Sequence, residues 1–266
     1  MKKGGFALHT AEGWMLLWLI ASPICVFFSA GAARFQLPLN LMPPSLLHPF
    51  GYDAFGRDVL QITARAGLNS MGFAAAVVVV SIVLAILSAS LIVAAPARLK
   101  FVFLRVLEFL LAFPSLIVAL AWAAIRGPGW STLWFSLLIG TLPMLIRLVY
   151  ARAQEVLVQD YIEASVSLGG SKGWVLTRHV VPELLSLCLL KAPNLFAQAL
   201  MAEATLSFLG LGAPIGRDTW GSLLAQGKDY LIEAPHLAIG VGIPLIFTVL
   251  SLQKISESLE SPRHLG

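Results

Sequence analysis

Charged positions divide this chain into long apolar runs separated by short polar intervals. A helix needs about 20 apolar residues to cross a bilayer. Residues 13–33 and 66–97 contain no charged residue at all. The first run predicts one span, and the second predicts another within it, at about 72–95. Four more follow at about 106–125, 130–150, 182–204 and 236–254. The third carries Glu108 at its edge and Pro114 inside, and the fifth contains Lys191 and Pro193. Six spans place both termini on one side. The two longer intervals differ in kind. Residues 34–66 are polar enough to be structured in water, with Gly51 and Gly56 marking turns and Asp58 placed to cap or to pair with Arg57 or Arg65. Residues 207–224 are too apolar for an ordinary loop and too broken for a span. That pattern predicts a partly re-entrant segment, whose backbone must be satisfied by protein or a water-filled cavity.

The interval from Asp160 to Pro182 has its own periodicity. Leu157, Tyr161, Ala164 and Leu168 recur at helical spacing and form one apolar face. Asp160 and Glu163 read as a helix start, each carboxylate able to accept from orphaned backbone N–H groups. Gly169-Gly170 ends that helix, because glycine enters left-handed backbone space cheaply. Ser171 then caps a second short helix from Lys172 to about Val180, stopped by Pro182. An apolar face on a segment too short to span predicts docking against another protein.

Composition sharpens this picture. Of 266 residues, 58% are hydrophobic and 12% charged, against about 25% charged in soluble domains. The chain therefore reads as an all-α polytopic membrane protein. A net charge of +4 gives no reason to expect nucleic acid, but its distribution orients the chain. Eleven basic residues fall on the side of the termini: Lys2, Lys3, Arg98, Lys100, Arg105, Arg147, Arg152, Lys172, Arg178, Lys254 and Arg263. Six lie opposite, namely Arg34, Arg57, Arg65, Arg126, Arg217 and Lys228. Both termini and the 160–182 segment are thus expected in the cytoplasm. The first apolar run is too long for a signal-peptide core and reads as a retained span. Cys25 and Cys188 sit in apolar runs and read as buried free thiols.

Catalytic motifs fail. No G-x-x-x-x-G-K-[ST] sequence occurs, so no P-loop is expected. The five histidines are scattered without metal spacing. Gly169 to Gly173 match G-x-S-x-G, yet that motif needs a preceding strand, and a helix is predicted there. No catalytic residue, metal ligand or cofactor is expected.

The block E-A-x-x-x-L-G-x-S-x-x-x-x-x-x-R-H-x-x-P, Glu163 to Pro182, resembles the "EAA" loop of bacterial ABC-importer permeases. Three further blocks resemble the C-type permease of the dipeptide/oligopeptide/nickel group: H-P-F-G-Y-D-A-F-G-R-D-V-L (48–60), E-F-L-L-A-F-P-S-L (108–116), and A-E-A-T-L-S-F-L-G-L-G (202–212) followed by W-G-S-L-L (220–224). Departures are Ser165 for the loop's second alanine, Tyr150 where a second arginine is common, and a proline-poor segment between Gly212 and Trp220. The resemblance implies a type I importer permease fold with a cytoplasmic coupling helix. It divides the chain into an N-terminal tail with the first span and an extracytoplasmic segment (1–66), a permease core (67–256) with the coupling loop at 160–182, and a cytoplasmic tail (257–266). It implies a bacterial inner-membrane subunit working with a second homologous permease, two ATPase subunits that bind ATP and Mg, and an extracytoplasmic solute-binding protein. Tyr161, Glu163, Ala164, Leu168, Gly169, Ser171 and Arg178 are then expected to engage the ATPase. Lys191 and Glu203 are the intramembrane charges expected at the translocation path or a subunit interface. Peptides are the first expectation for cargo; nickel, a metal chelate or another small solute stay open. A passive channel, a membrane scaffold and an intramembrane enzyme are the competing classes. A channel would want a polar stripe or charged ring, and spans two and three offer few polar groups. An enzyme would want paired titratable groups at depth.

Overall fold

The computed structural model describes residues 13–14, 37–212 and 216–260. Gly51 and Gly56 take the left-handed backbone, φ +67° and +70°, in the turns the sequence predicts. Beyond them the chain is helical, and no strand forms among the described residues. The order is α1 (Val59–Ala94), α2 (Ala97–Leu111), α3 (Ser115–Arg126), α4 (Trp130–Leu157), α5 (Asp160–Ser167), α6 (Lys172–Val175), a π turn (Leu176–Val180), α7 (Val181–Phe208), α8 (Trp220–Lys228) and α9 (His236–Glu260). Four helical stretches are long and apolar enough to span a membrane, and five if the bent pair α2–α3 is counted as one. The expected first span, 13–33, lies outside the described residues except for Gly13 and Trp14. The Trp14 ring packs on Phe247 of α9 and its Nε1 donates to Thr248 Oγ1 at 3.4 Å.

The uncharged run predicts α1, but the helix begins earlier than residue 72. Asp58 caps it by accepting from the Gln61 N–H at 3.1 Å, so the predicted boundary at residues 66 and 67 falls inside α1. Ala66, Ala74, Val77, Ala85 and Ala89 of α1 are fully buried. Such small side chains let helix backbones approach closely, which drives packing inside lipid. α1 packs on α4 and α7, α9 covers α7 and α8, and α3 lies on α4.

Four boundaries correct the sequence reading. The predicted third span is two helices meeting at 85°. Pro114 has no N–H to continue the α2 ladder, so it sits at the N-cap of α3 instead. α4 and α9 run past residues 150 and 254, to Leu157 and Glu260. Pro182 does not stop a helix. The Val181 N–H reaches back to the Leu176 carbonyl across a π turn. Proline at the start of α7 then needs no N–H there, and the wide turn leaves room for its ring. Helical backbone therefore continues from Lys172 to Phe208. Near the end of the 207–224 interval Trp220, fully buried, opens the short helix α8, which packs against α7.

Candidate functional site

The segment between α4 and α7 is a folded unit. α5 begins at Asp160, with Gln159 rather than Asp160 as its N-cap and no side-chain cap. Asp160 and Glu163 lie in the first turn instead, where negative charge suits the helix dipole. The helix ends in two backbone bonds, Gly170 N–H to Ser165 carbonyl at 3.0 Å and Gly169 N–H to Val166 carbonyl at 2.9 Å. This closure needs a left-handed residue, supplied by Gly169 at φ +93°. A Cβ on Gly170 would stand 2.7 Å from the Ser165 carbonyl oxygen. Ser171 caps α6 as predicted, accepting from the Trp174 N–H at 3.2 Å. Ile162, Val175 and Val180 turn inward and are buried.

Two fastenings were invisible in the sequence. The His179 ring lies between Trp174, edge-on at 5.1 Å, and Tyr161 at 5.8 Å, with Nε2 at 3.4 Å from Ser165 Oγ. It ties α5 to the π turn. Arg152 on α4 donates to Glu155 and to Glu183 of α7, both at 3.1 Å. It joins the two stems from which the segment hangs. The Arg152–Glu155 pair is legible as an i,i+3 pair; the reach to Glu183, 31 residues away, is not.

What remains outside is apolar. Tyr161, Ala164 and Leu168 are exposed, Leu168 at 90%, with Val166 and Trp174 beside them. The exposed side chains of Glu163 and Arg178 make no hydrogen bond or ion pair with the described residues. Six of the predicted docking residues, Tyr161 to Ser171, thus share one short turn-linked segment. Arg178 stands apart on the π turn.

Lys191 and Glu203 are not brought together. Lys191 Nζ pairs with Glu260 Oε2 at 2.8 Å, at the last residue of α9. Its ammonium is thereby drawn to the helix end, as a long cationic side chain can be. Glu203 is fully enclosed within the chain, with Ser207 donating to it at 2.6 Å. Its Oε2 is buried and has no hydrogen-bond partner among the described residues. Glu203 is thus closed off within this chain. The reason is α8, which folds over it.

The 48–60 and 202–224 blocks meet at the N-terminal end of α1. Arg57 Nε reaches Asp53 at 2.6 Å, one terminal nitrogen reaches Asp218 at 2.9 Å and the other Gln226 at 3.3 Å. Asp53 also accepts from the Phe55 and Arg57 N–H groups. Asp58, besides capping α1, pairs with His48 at 2.5 Å. The Trp220 N–H donates to Ser70 Oγ and its indole N–H to the Thr63 carbonyl, both at 3.0 Å. A Cβ on Gly67 would lie 2.7 Å from the Trp220 ring. The 48–60 loop is thus a tertiary anchor for α8, beyond its own turn chemistry. Cys188 is a buried free thiol. Among the described residues, no group of His, Cys, Asp and Glu could hold a metal ion.

Comparison with known proteins agrees with this architecture. Residues 81–259 match the model of the binding-protein-dependent transport system inner membrane component family. A protein of Brucella suis biovar 1, provisionally named a peptide transport system permease, is 35% identical over 92% of this chain and 83% of its own length. The di/tripeptide transport system permease protein DppC of Pseudomonas aeruginosa is 29% identical over 92% of this chain and 84% of its own. The glutathione transport system permease protein GsiD of Shigella flexneri serotype 5b is 28% identical over 81% of this chain and 71% of its own. With the family model covering most of its length, the chain belongs to the binding-protein-dependent transport system inner membrane components: it is a multi-pass, inner-membrane permease subunit of an ABC transport system.

Proposed function

We propose that this permease forms half of a path for short peptides in an ATP-driven importer, and that the segment Tyr161–Ser171 receives the work of a cytoplasmic ATPase subunit. The observation that carries the coupling role is the exposed Tyr161–Ala164–Leu168 face, held rigid by the Gly169 turn and His179. A subunit without a nucleotide motif that moves solute uphill must be driven by a partner. A short helix with an apolar face in a groove is a recurrent way to dock one. The side chains of Glu163 and Arg178 are free to pair with that partner. A second homologous permease would complete the path, a second ATPase the motor, and an extracytoplasmic binding protein the delivery of cargo. Both termini and the 160–182 segment are then cytoplasmic. The chain itself would carry no catalytic residue. Peptide cargo is drawn from relatives whose names assign peptides or glutathione to them.

Reconstituted complexes carrying Gly169→Asp or Glu163→Lys test the coupling. Weak ATPase assembly, or ATP hydrolysis without peptide transport, is expected from a permease that still inserts. Full transport by both variants would sink the assignment.

A further inference from the structure

We infer that one face of α7, carrying Gln198, Met201 and Thr205, lines the passage through the membrane, and that the Gln198 carboxamide meets the peptide bonds of the cargo there. The choice of cargo rests on the peptide reading above; the lining does not.

The spanning helices differ in what they leave uncovered. The exposed positions of α1 between residues 72 and 91 are glycine, alanine, valine and leucine. Those of α9 between 239 and 250 are isoleucine, phenylalanine and leucine. Lipid suits both faces. On α7 the exposed positions between 194 and 205 are Gln198, Met201 and Thr205, which share one face at helical spacing. Lys191 marks their depth, since its ammonium is drawn to the end of α9. Gln198 stands about 10 Å and Thr205 about 21 Å further along the helix. Both fall inside a hydrocarbon layer about 30 Å thick.

The chain satisfies Thr205 and not Gln198. The Thr205 hydroxyl donates to the Met201 carbonyl at 2.8 Å. The Gln198 amide gives one N–H to Asn194 Oδ1 at 3.3 Å; its other N–H and its carbonyl oxygen make no hydrogen bond among the described residues. Against lipid that donor and acceptor would be stranded, so a polar side chain at such depth faces water or another protein. Shape chooses between the two. Beside Gln198 and Thr205 lies a hollow of about 280 Å³ between α3, α4 and α7, bordered by the small residues Ser115, Gly140 and Thr141. A helix of a second subunit laid along α7 would roof this hollow and leave it empty, forfeiting the contacts that hold an interface. Water and a passing solute fill it instead.

A carboxamide carries the same donor and acceptor as a peptide bond, so Gln198 can pair with a backbone amide whatever side chains flank it. Met201 beside it is unbranched and adapts to side chains of varied shape. No charged side chain borders the hollow, so the charged ends of a peptide are not held. Such a face passes its cargo on rather than storing it.

The test uses the complete importer with Cys25 and Cys188 replaced by alanine. In nanodiscs, Gln198→Cys and Ile246→Cys meet a charged methanethiosulfonate reagent, without nucleotide and with ATP and vanadate. Gln198→Cys should be modified in at least one state, and Ile246→Cys, on the apolar face of α9, in neither. Thr205→Cys, read the same way, replaces Gln198→Cys if that variant fails to assemble. Protection in both states would overturn the lining, placing this face against lipid or the second permease. Proteoliposomes with the binding protein then take up trialanine or its analogue with ester oxygens in place of both peptide N–H groups. Gln198→Leu should lower uptake of trialanine about fivefold more than that of the ester. The binding protein's own preference cancels, since it is common to both permeases. An equal change for the two solutes would overturn the peptide-bond contact. Modified Gln198→Cys in an importer whose wild type takes up no trialanine would support the lining and refute the peptide cargo.

Discussion

At the scale of single residues, glycines are the most sharply constrained positions. Gly169 sits at φ +93° with nothing near its missing Cβ, so Gly169→Ala meets backbone strain alone, roughly 1–2 kcal/mol. Gly170→Ala meets a carbonyl oxygen at 2.7 Å and must displace it. Both should lower the thermal stability of the purified permease, and Gly170→Ala should alter the protease sensitivity of the loop more. Equal protection in the two variants would contradict this. Lys191 is a different case. Its partner Glu260 is exposed at the helix end, where water and salt screen the pair and leave it little weight. Lys191→Met should therefore assemble and transport as the wild type does, read by uptake in proteoliposomes. The sequence marks Lys191 and Glu203 alike, as charges inside apolar runs. It cannot separate them, because one is reached by the far end of α9 and the other is roofed by α8, and both neighbours are distant in the chain.

At the scale of elements, periodicity located the spans, and proline decided their ends in ways periodicity does not carry. Pro114 breaks a span and Pro182 does not; the difference is the π turn, in which the Val181 N–H passes over to Leu176. Pro182→Ala should then leave topology intact and relax the π turn to ordinary α geometry, shifting the register of Tyr161 against His179. Uncoupled ATP hydrolysis is the expected readout, and a variant indistinguishable from wild type in both hydrolysis and uptake would show the turn to be incidental. The exposed apolar face of α5 was legible in the sequence because its apolar period is local. The His179 and Arg152 fastenings were not, because they are made between elements. Covering roughly 300 Å² of that face at about 25 cal/mol per Å² contributes about 7 kcal/mol before association costs. Leu168→Asp should accordingly weaken co-purification with the ATPase strongly, while the permease still inserts.

At the scale of the whole molecule, orientation is the statement on which the rest depends. A cysteine at Asn40 should react with an impermeant thiol reagent in intact cells, and one at Ser171 should not; the reverse pattern would overturn the assignment of sides. The two ends of the molecule are built differently. The 48–60 loop, α1 and α8 are locked by Arg57, Trp220 and Gly67 in contacts that leave no room for a methyl group. The 160–182 segment hangs from its stems by Arg152 and keeps its apolar face uncovered.

Between these ends runs the unbroken backbone from Lys172 to Phe208, 37 residues, or about 55 Å of helix. The hydrocarbon layer it crosses is only about 30 Å thick. The excess leaves one end of α6–α7 clear of lipid. On the coupling proposed above, an ATPase would push on that end while the far tip, covered by α8, serves as the pivot. Tilting such a rod by about 10° carries its free end roughly 10 Å. On that proposal, modest closure of the ATPase would be enough to swing the wall of the passage from one opening to the other.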